Sequence, residues 1–162
     1  MPLIAKKSKA NFFLSRPRRF GKSLFVSTLE YVFLGKKEMF KGLYIYDKIE
    51  WETFPVIRLS MDAIGFQDAD LKDALYAEIK SKAKKEALIL EETHYARAFA
   101  EFIQKLAKKH QKRVVVLIDE YDKPIIHGIE KDNADLAETN RDILKSFYGI
   151  LKDSGEYCAL FL

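Results

Sequence analysis

The stretch from Val114 to Glu120 reads Val-Val-Val-Leu-Ile-Asp-Glu and decides the fold class. Its apolar part is continuous and rich in β-branched residues, which favours a strand buried on both faces. Such strands lie inside parallel sheets, where helices form the connections. We therefore expect an α/β domain in which Asp119 and Glu120 follow a central strand. Ligands of open parallel sheets bind at this carboxyl edge.

The segments on either side of this stretch alternate between strand-like and helix-like patterns. Short apolar runs predict further strands at residues 10–14, 56–61 and 158–162. Helical spacing predicts helices at residues 22–34 and 133–152, and two more between them, capped by Asp68 and Thr93. Residues 22–34 are apolar nearly all round, which predicts a buried helix that stops at Gly35. The alternation predicts a three-layer domain with a mainly parallel sheet.

Pro124 and Gly128 follow the two acids and predict a loop there. The preceding cluster, Tyr121-Asp122-Lys123-Pro124, is typical of a structural turn in which Lys123 pairs with Asp122. A role in positioning a ribose, a base or a second acid is the alternative.

The turn before the first helix has the composition of a phosphate-binding loop. Gly21-Lys22-Ser23 matches the GK[ST] end of a Walker A motif, and it lies between a predicted strand and a predicted helix. Gly21 lets the backbone approach the phosphates, Lys22 neutralises their oxygens, and the Ser23 hydroxyl is a ligand for Mg²⁺. Arg16 stands where the general motif has its first glycine. A solvated basic turn is the alternative interpretation.

The residues expected to contact the nucleotide form one continuous run. They are Arg16, Pro17, Arg18, Arg19, Phe20, Gly21, Lys22, Ser23 and Leu24.

The two acids after the central strand fit a Walker B arrangement. Asp119 would hold Mg²⁺, directly or through water, and Glu120 would orient and polarise the attacking water. Side chains alternate along an extended chain, so the two carboxylates are expected to point in different directions. A strand end that meets water through two acids is the simpler alternative, but the order of the two motifs along the chain favours the functional interpretation.

Composition limits the remaining possibilities. The chain of 162 residues is expected to form one domain, residues 1–162, with a net charge of +4 that is too scattered to indicate nucleic acid by itself. One cysteine excludes an internal disulfide, and the three histidines lie too far apart to predict zinc. We expect a cytoplasmic protein, since the sequence contains no membrane segment or signal peptide. Arg141 is either a phosphate sensor or a member of a surface ion pair.

Four motifs, LSRPRRFGKS, GLYIYDK, VVVLIDEYDKP and NRDILKSFY, together resemble the AAA-ATPase-like family of bacterial and archaeal proteins. The resemblance runs from about Asn11 to Leu162. In that family too an arginine replaces the first Walker A glycine, so the resemblance implies that Arg16 fits the family's form of the loop. It also implies a P-loop NTPase-like fold, with Lys22 and Ser23 as the nucleotide-binding pair and Asp119 and Glu120 as the Walker B acids.

Members of this family often carry a PD-(D/E)xK nuclease-like domain after the ATPase part. We expect this chain to lack the last strand, which in related ATPases lies beside the P-loop strand, and to be incomplete at both ends.

These patterns predict Mg²⁺-dependent binding of ATP and its hydrolysis, with Lys22 and Glu120 as catalytic residues and Ser23 and Asp119 as metal ligands. Two alternatives stay open. One is a nucleotide-binding module without turnover, and the other is a nucleic-acid or protein interaction module that uses the arginines of the first turn. The sequence leaves a homo-oligomer open as well.

Overall fold

The structure is a computed structural model that describes residues 10–11, 20–67 and 69–161, with the backbone alone at residues 10–11 and 159–161. Nine helices and strands follow one another along these residues: β1 (Ala10–Asn11), α1 (Lys22–Phe33), β2 (Val56–Ser60), α2 (Leu71–Lys85), α3 (Tyr95–His110), β3 (Val114–Asp119), α4 (Lys123–Glu130), α5 (Ala134–Asp153) and β4 (Cys158–Phe161). Two short 3₁₀ helices, Lys37–Phe40 and Tyr44–Asp47, connect α1 to β2.

The strands form one parallel sheet in the order β1-β4-β3-β2. β3 lies between β4 and β2, as expected for its continuous apolar sequence, and all six of its residues are buried. Ser60 pairs with Asp119, so β2 and β3 end at the same level. The predicted α/β class and the parallel sheet are confirmed.

The two faces of β3 are covered by different helices. Val114, Val116 and Ile118 face the larger core, which is built with α2, α3 and α5. Val115 and Leu117 face the smaller cluster, which contains Val26 and Phe33 of α1. Because side chains alternate along a strand, Asp119 belongs to the α1 face.

The larger core is dominated by aromatic side chains. Phe99 on α3 and Phe147 on α5 are fully buried and stack with their ring centroids 4.5 Å apart. Burial of each such side chain contributes about 1.5–3 kcal/mol to folding. This stacking fixes α5 against α3, and α5 in turn contacts the turn that follows β3.

Helix α1 ends where the sequence predicted, but it is less buried than predicted. Gly35, at φ 67°, donates its N–H to the carbonyl of Val32, and the next N–H, of Lys36, reaches Tyr31. This is a Schellman motif. Only one stripe of α1 is buried, and Leu24 is 72% exposed, because the helix covers the sheet with a single face.

Three local predictions were wrong. The N-cap of α3 is His94 rather than Thr93, and no described side chain caps that end of the helix. The side chain that caps α2 is Asp70, which accepts a hydrogen bond from the Lys72 N–H at 2.8 Å. Asp68 lies outside the described residues. Residues 123–130 form a helix rather than a loop, with Pro124 in its first turn, where its missing N–H costs nothing.

Gly128 allows α4 and α5 to approach each other closely. A Cβ atom at this position would lie 2.6 Å from the backbone nitrogen of Ala137 on α5.

No helix in the described ranges combines the length and the apolar character that a bilayer crossing needs.

Candidate functional site

Gly21 sets the start of helix α1. Its φ of 70° and ψ of 26° are left-handed, and its carbonyl accepts the N–H of Phe25 at 2.9 Å. Among the described residues, nothing lies within 4 Å of the place a Cβ would take, and the left-handed backbone conformation by itself favours glycine. In the described part of the helix, no side chain caps this end and its first turn contains no acid. The first N–H groups therefore present partial positive charge to an anion.

The residues predicted to contact nucleotide are described only in part. Arg16, Pro17, Arg18 and Arg19 lie outside the described residues, whereas Phe20 to Leu24 lie within them. Phe20 is 66% exposed, Ser23 is also exposed, and Lys22 is half-buried. Apolar and polar side chains therefore share an accessible surface at the start of α1.

Contacts at the other end of α1 define its direction. The N–H of Phe54, two residues before β2, donates to the carbonyl of Phe33 at 2.7 Å. Glu30, about one turn earlier in α1, contacts Arg58, which lies further along β2. The helix thus runs opposite to the strands, and its first turn points towards the edge at which β2 and β3 end.

Asp119 is a buried carboxylate at that edge, with 5% of its surface exposed. Its Oδ1 accepts the backbone N–H of Glu120 at 3.0 Å, and its carbonyl accepts the N–H of Met61 at 3.0 Å. Both bonds hold the end of β3 in place.

Glu120 leaves the extended conformation immediately after the strand. Its φ is 55°, in the left-handed region that a side chain rarely adopts. The alternation of side chains along the strand therefore ends at Asp119, and strand geometry does not set the direction of the Glu120 carboxylate relative to that of Asp119. Backbone conformations of this kind occur often at functional sites.

Arg58 is a member of the site that the sequence reasoning missed. It lies on β2, with Nη1 2.8 Å from Oε2 of Glu30 on α1 and Nη2 3.9 Å from Oδ2 of Asp119. The only available signal was a cation inside a largely apolar strand, Val-Ile-Arg-Leu-Ser.

Helix α5 anchors the turn after the acids through two further residues that were missed. The buried Asn140 donates from Nδ2 to the Pro124 carbonyl at 2.9 Å, and the Tyr148 hydroxyl donates to the Tyr121 carbonyl at 3.1 Å. Burial, with smaller contributions from Asp122 and Tyr121, raises the pKa of Tyr148, so its hydroxyl stays protonated at neutral pH. The signal was present, since Asn140 and Tyr148 are the first and last residues of the NRDILKSFY motif.

The ion pairs of two charged residues differ from those that a role in nucleotide binding would require. Lys123 lies 3.8 Å from Asp62, not beside Asp122 as predicted. Arg141 is exposed and pairs with Glu138 at 2.9 Å, which agrees with the surface ion pair. The described contacts of Arg141 thus give no support to a sensor role.

Comparison with known proteins identifies the chain. A family model described as "Predicted AAA-ATPase" matches residues 2–162. The chain belongs to the AAA-ATPase-like family. This AAA-ATPase-like chain is also 38% identical over 146 residues to a protein of Azotobacter chroococcum mcd 1 described as "Uncharacterized protein in vnfD 5'region". The match covers 89% of the chain and 28% of that relative, so the chain spans less than a third of the relative's length. No solved structure was found to match it.

Proposed function

We propose that this AAA-ATPase-like chain is a P-loop NTPase domain of three layers that binds ATP with Mg²⁺ and hydrolyses it. One observation carries the proposal: a buried carboxylate, Asp119, lies on the sheet face covered by α1, at the edge to which the first turn of α1 points. Family membership supports nucleotide binding in general.

The start of α1 is suited to phosphate. Its N–H groups and the helix dipole favour an anion, and Gly21 holds them in the required conformation. Lys22 is the first residue of the helix and supplies a positive charge to the β- and γ-phosphates. The arginines of the preceding turn would add further charge.

The donor set fits Mg²⁺. Within the described residues there is no group of three His, Cys, Asp or Glu side chains that would hold a metal by themselves. Mg²⁺ in nucleotide sites needs only one or two protein oxygens, because phosphate and water complete its coordination. Asp119 and Ser23 offer a carboxylate and a hydroxyl oxygen. A bound Mg²⁺ would neutralise charge on the phosphate oxygens.

Glu120 is the candidate for activating water. Its backbone follows Asp119 directly in a strained conformation, and its side chain is half-buried. A carboxylate in this position can accept a proton from the attacking water, or orient it towards the γ-phosphate. Lys22 would stabilise the charge that develops during transfer.

Calorimetric titration with Mg-ATP tests the proposal. We expect the wild type to bind and Lys22→Ala to lose at least tenfold in affinity, since charge-assisted contacts of this kind are worth about 1.5–3 kcal/mol. Lys36→Ala, which removes an exposed lysine at the other end of α1, is the matched control. Absence of binding by the wild type, or equal binding by Lys22→Ala, contradicts the proposal.

Turnover is tested separately by phosphate release. Glu120→Gln should bind Mg-ATP like the wild type and lose phosphate release by about a hundredfold or more. Release that persists in Glu120→Gln removes Glu120 from catalysis. Binding without release in the wild type identifies a nucleotide-binding module instead.

A further inference from the structure

Three charged side chains connect α1, β2 and β3 beneath the candidate site. Arg58 lies between Glu30 and Asp119, at 2.8 Å from the former and 3.9 Å from the latter. Between a quarter and a third of the Arg58 and Glu30 side chains is exposed, whereas Asp119 is almost fully buried. The guanidinium is therefore a fixed positive charge beside the carboxylate that is proposed to hold Mg²⁺.

The two contacts of Arg58 are unequal. The shorter one is a charge-assisted hydrogen bond to Glu30. The longer one exceeds hydrogen-bond distance and leaves an electrostatic attraction alone. Glu30 thus holds the Arg58 guanidinium farther from Asp119 than it would lie in a direct ion pair.

We propose that Glu30 and Arg58 set the affinity of Asp119 for Mg²⁺, with Glu30 restraining Arg58 from pairing fully with the carboxylate. The proposal rests on the proposed function. Arg58 is a positioning residue here, because it acts through Asp119 and not on the nucleotide itself.

The restraint predicts opposite effects for the two partners. Without the charge of Glu30, Arg58 would turn to Asp119 and compete with Mg²⁺ for the same oxygen. Without the charge of Arg58, Asp119 would face Mg²⁺ with no competing cation. A merely structural role predicts instead that both losses weaken the site, since both remove the bond between α1 and β2.

The experiment measures how much Mg²⁺ strengthens ATP binding. For each variant, the dissociation constant of ATP is determined by calorimetry in EDTA and again in saturating Mg²⁺, and the ratio of the two is the Mg²⁺ gain. We expect Arg58→Gln to raise the gain and Glu30→Gln to lower it, each by about three- to tenfold for partly screened charges a few ångströms apart. The double variant should behave like Arg58→Gln, because Glu30 acts only through Arg58.

Glu78→Gln is the matched control. It removes one carboxylate charge from another helix, where Glu78 pairs with Lys82 at 3.1 Å, and should leave the gain unchanged. If Arg58→Gln does not fold, Glu30→Gln and Glu30→Asp decide the question. Glu30→Gln removes the charge at nearly the same shape, whereas Glu30→Asp keeps the charge on a shorter side chain, so an equal loss in both overturns the proposal.

The outcomes separate the two proposals. A gain that falls in both Arg58→Gln and Glu30→Gln overturns the restraint and leaves ATP binding standing. The restraint is also overturned, and ATP binding still stands, if Glu30→Gln lowers the Mg²⁺ gain in a chain that already carries Arg58→Gln. Absence of ATP binding in the wild type overturns the proposed function, and the restraint with it.

Discussion

Asn140 on α5 donates a hydrogen bond from Nδ2 to the carbonyl of Pro124 at 2.9 Å, across 16 positions of the chain. The amide is 4% exposed and is one of the few buried polar side chains among the described residues. The bond connects the longest helix of the chain to the first turn of α4. Because α4 follows the acids of β3 directly, Asn140 helps to fix the backbone of the candidate site.

Replacement of Asn140 by alanine should lower the free energy of unfolding by about 1–3 kcal/mol. The reason is that the buried Pro124 carbonyl loses a partner that water does not replace easily. Guanidinium denaturation measures the effect. Glu138→Ala, an exposed change on the same helix, should shift stability by less than about 0.5 kcal/mol. Equal effects of the two variants would show that the buried bond contributes nothing specific.

Tyr148 should make the free energy of unfolding depend on pH in alkaline solution. Burial raises the pKa of Tyr148 above its ordinary value of 10.0, so the folded state holds the proton more tightly than the unfolded state does. The contribution is complete below pH 10 and is lost as the pH rises from there towards the raised pKa. Tyr148→Phe should therefore show a shallower loss of stability above pH 10, measured by denaturation at pH 8 and pH 11.

In the same variant the bond to the Tyr121 carbonyl is removed. We expect a loss of about 0.5–1.5 kcal/mol at pH 8. A variant that is as stable as the wild type at pH 8 and keeps its full alkaline slope would contradict both statements.

Glu120→Gly should stabilise the fold while it removes the proposed catalytic carboxylate. A side chain at φ 55° costs about 1 kcal/mol, and glycine adopts this conformation without that cost. Glu120→Gln keeps the strain and should leave stability near that of the wild type. A denaturation midpoint for the glycine variant at or below that of the glutamine variant would exclude strain at this residue.

Gly128→Ala should destabilise the chain by about 1–3 kcal/mol, although alanine favours helices. The new Cβ would collide with the backbone of Ala137, so α4 and α5 would have to move apart. Gly149→Ala on α5 is the matched control, because none of the described residues has an atom within 4 Å of its Cβ position. There the helix propensity of alanine should raise stability by about 1 kcal/mol. Thermal unfolding of both variants measures whether each substitution lowers or raises the stability.

The sequence was informative where a local pattern determines the structure. The apolar run at Val114 predicted the central strand, and Gly35 predicted the end of α1, because both depend on neighbouring residues. Gly128 was misread as a loop signal, since its reason is a contact with a helix that begins six residues later. In the local sequence, a glycine that is required by the close approach of two helices cannot be distinguished from a glycine in a turn.

The candidate site shows the same division. Gly21, Lys22, Asp119 and Glu120 could be proposed for the site because a motif places them directly after a strand or before a helix. Arg58, Asn140 and Tyr148 were not assigned roles, because each acts across 16 or more positions of sequence. Only the folded chain brings Glu30 and Arg58 together, and no spacing rule for strands or helices would have paired them.

Nuclear magnetic resonance with Mn²⁺-ATP tests the central claim most directly. In a chain of 18.8 kDa, amide signals can be followed one by one while a substoichiometric amount of the paramagnetic complex is added. We predict that the amides of Lys22, Ser23 and Glu120 broaden together, while those of Gln111 and Tyr157, before the starts of β3 and β4, keep their intensity. Broadening at the start of α1 without broadening at the end of β3, or broadening at the opposite edge, would contradict the claim that one nucleotide and its metal meet both motifs.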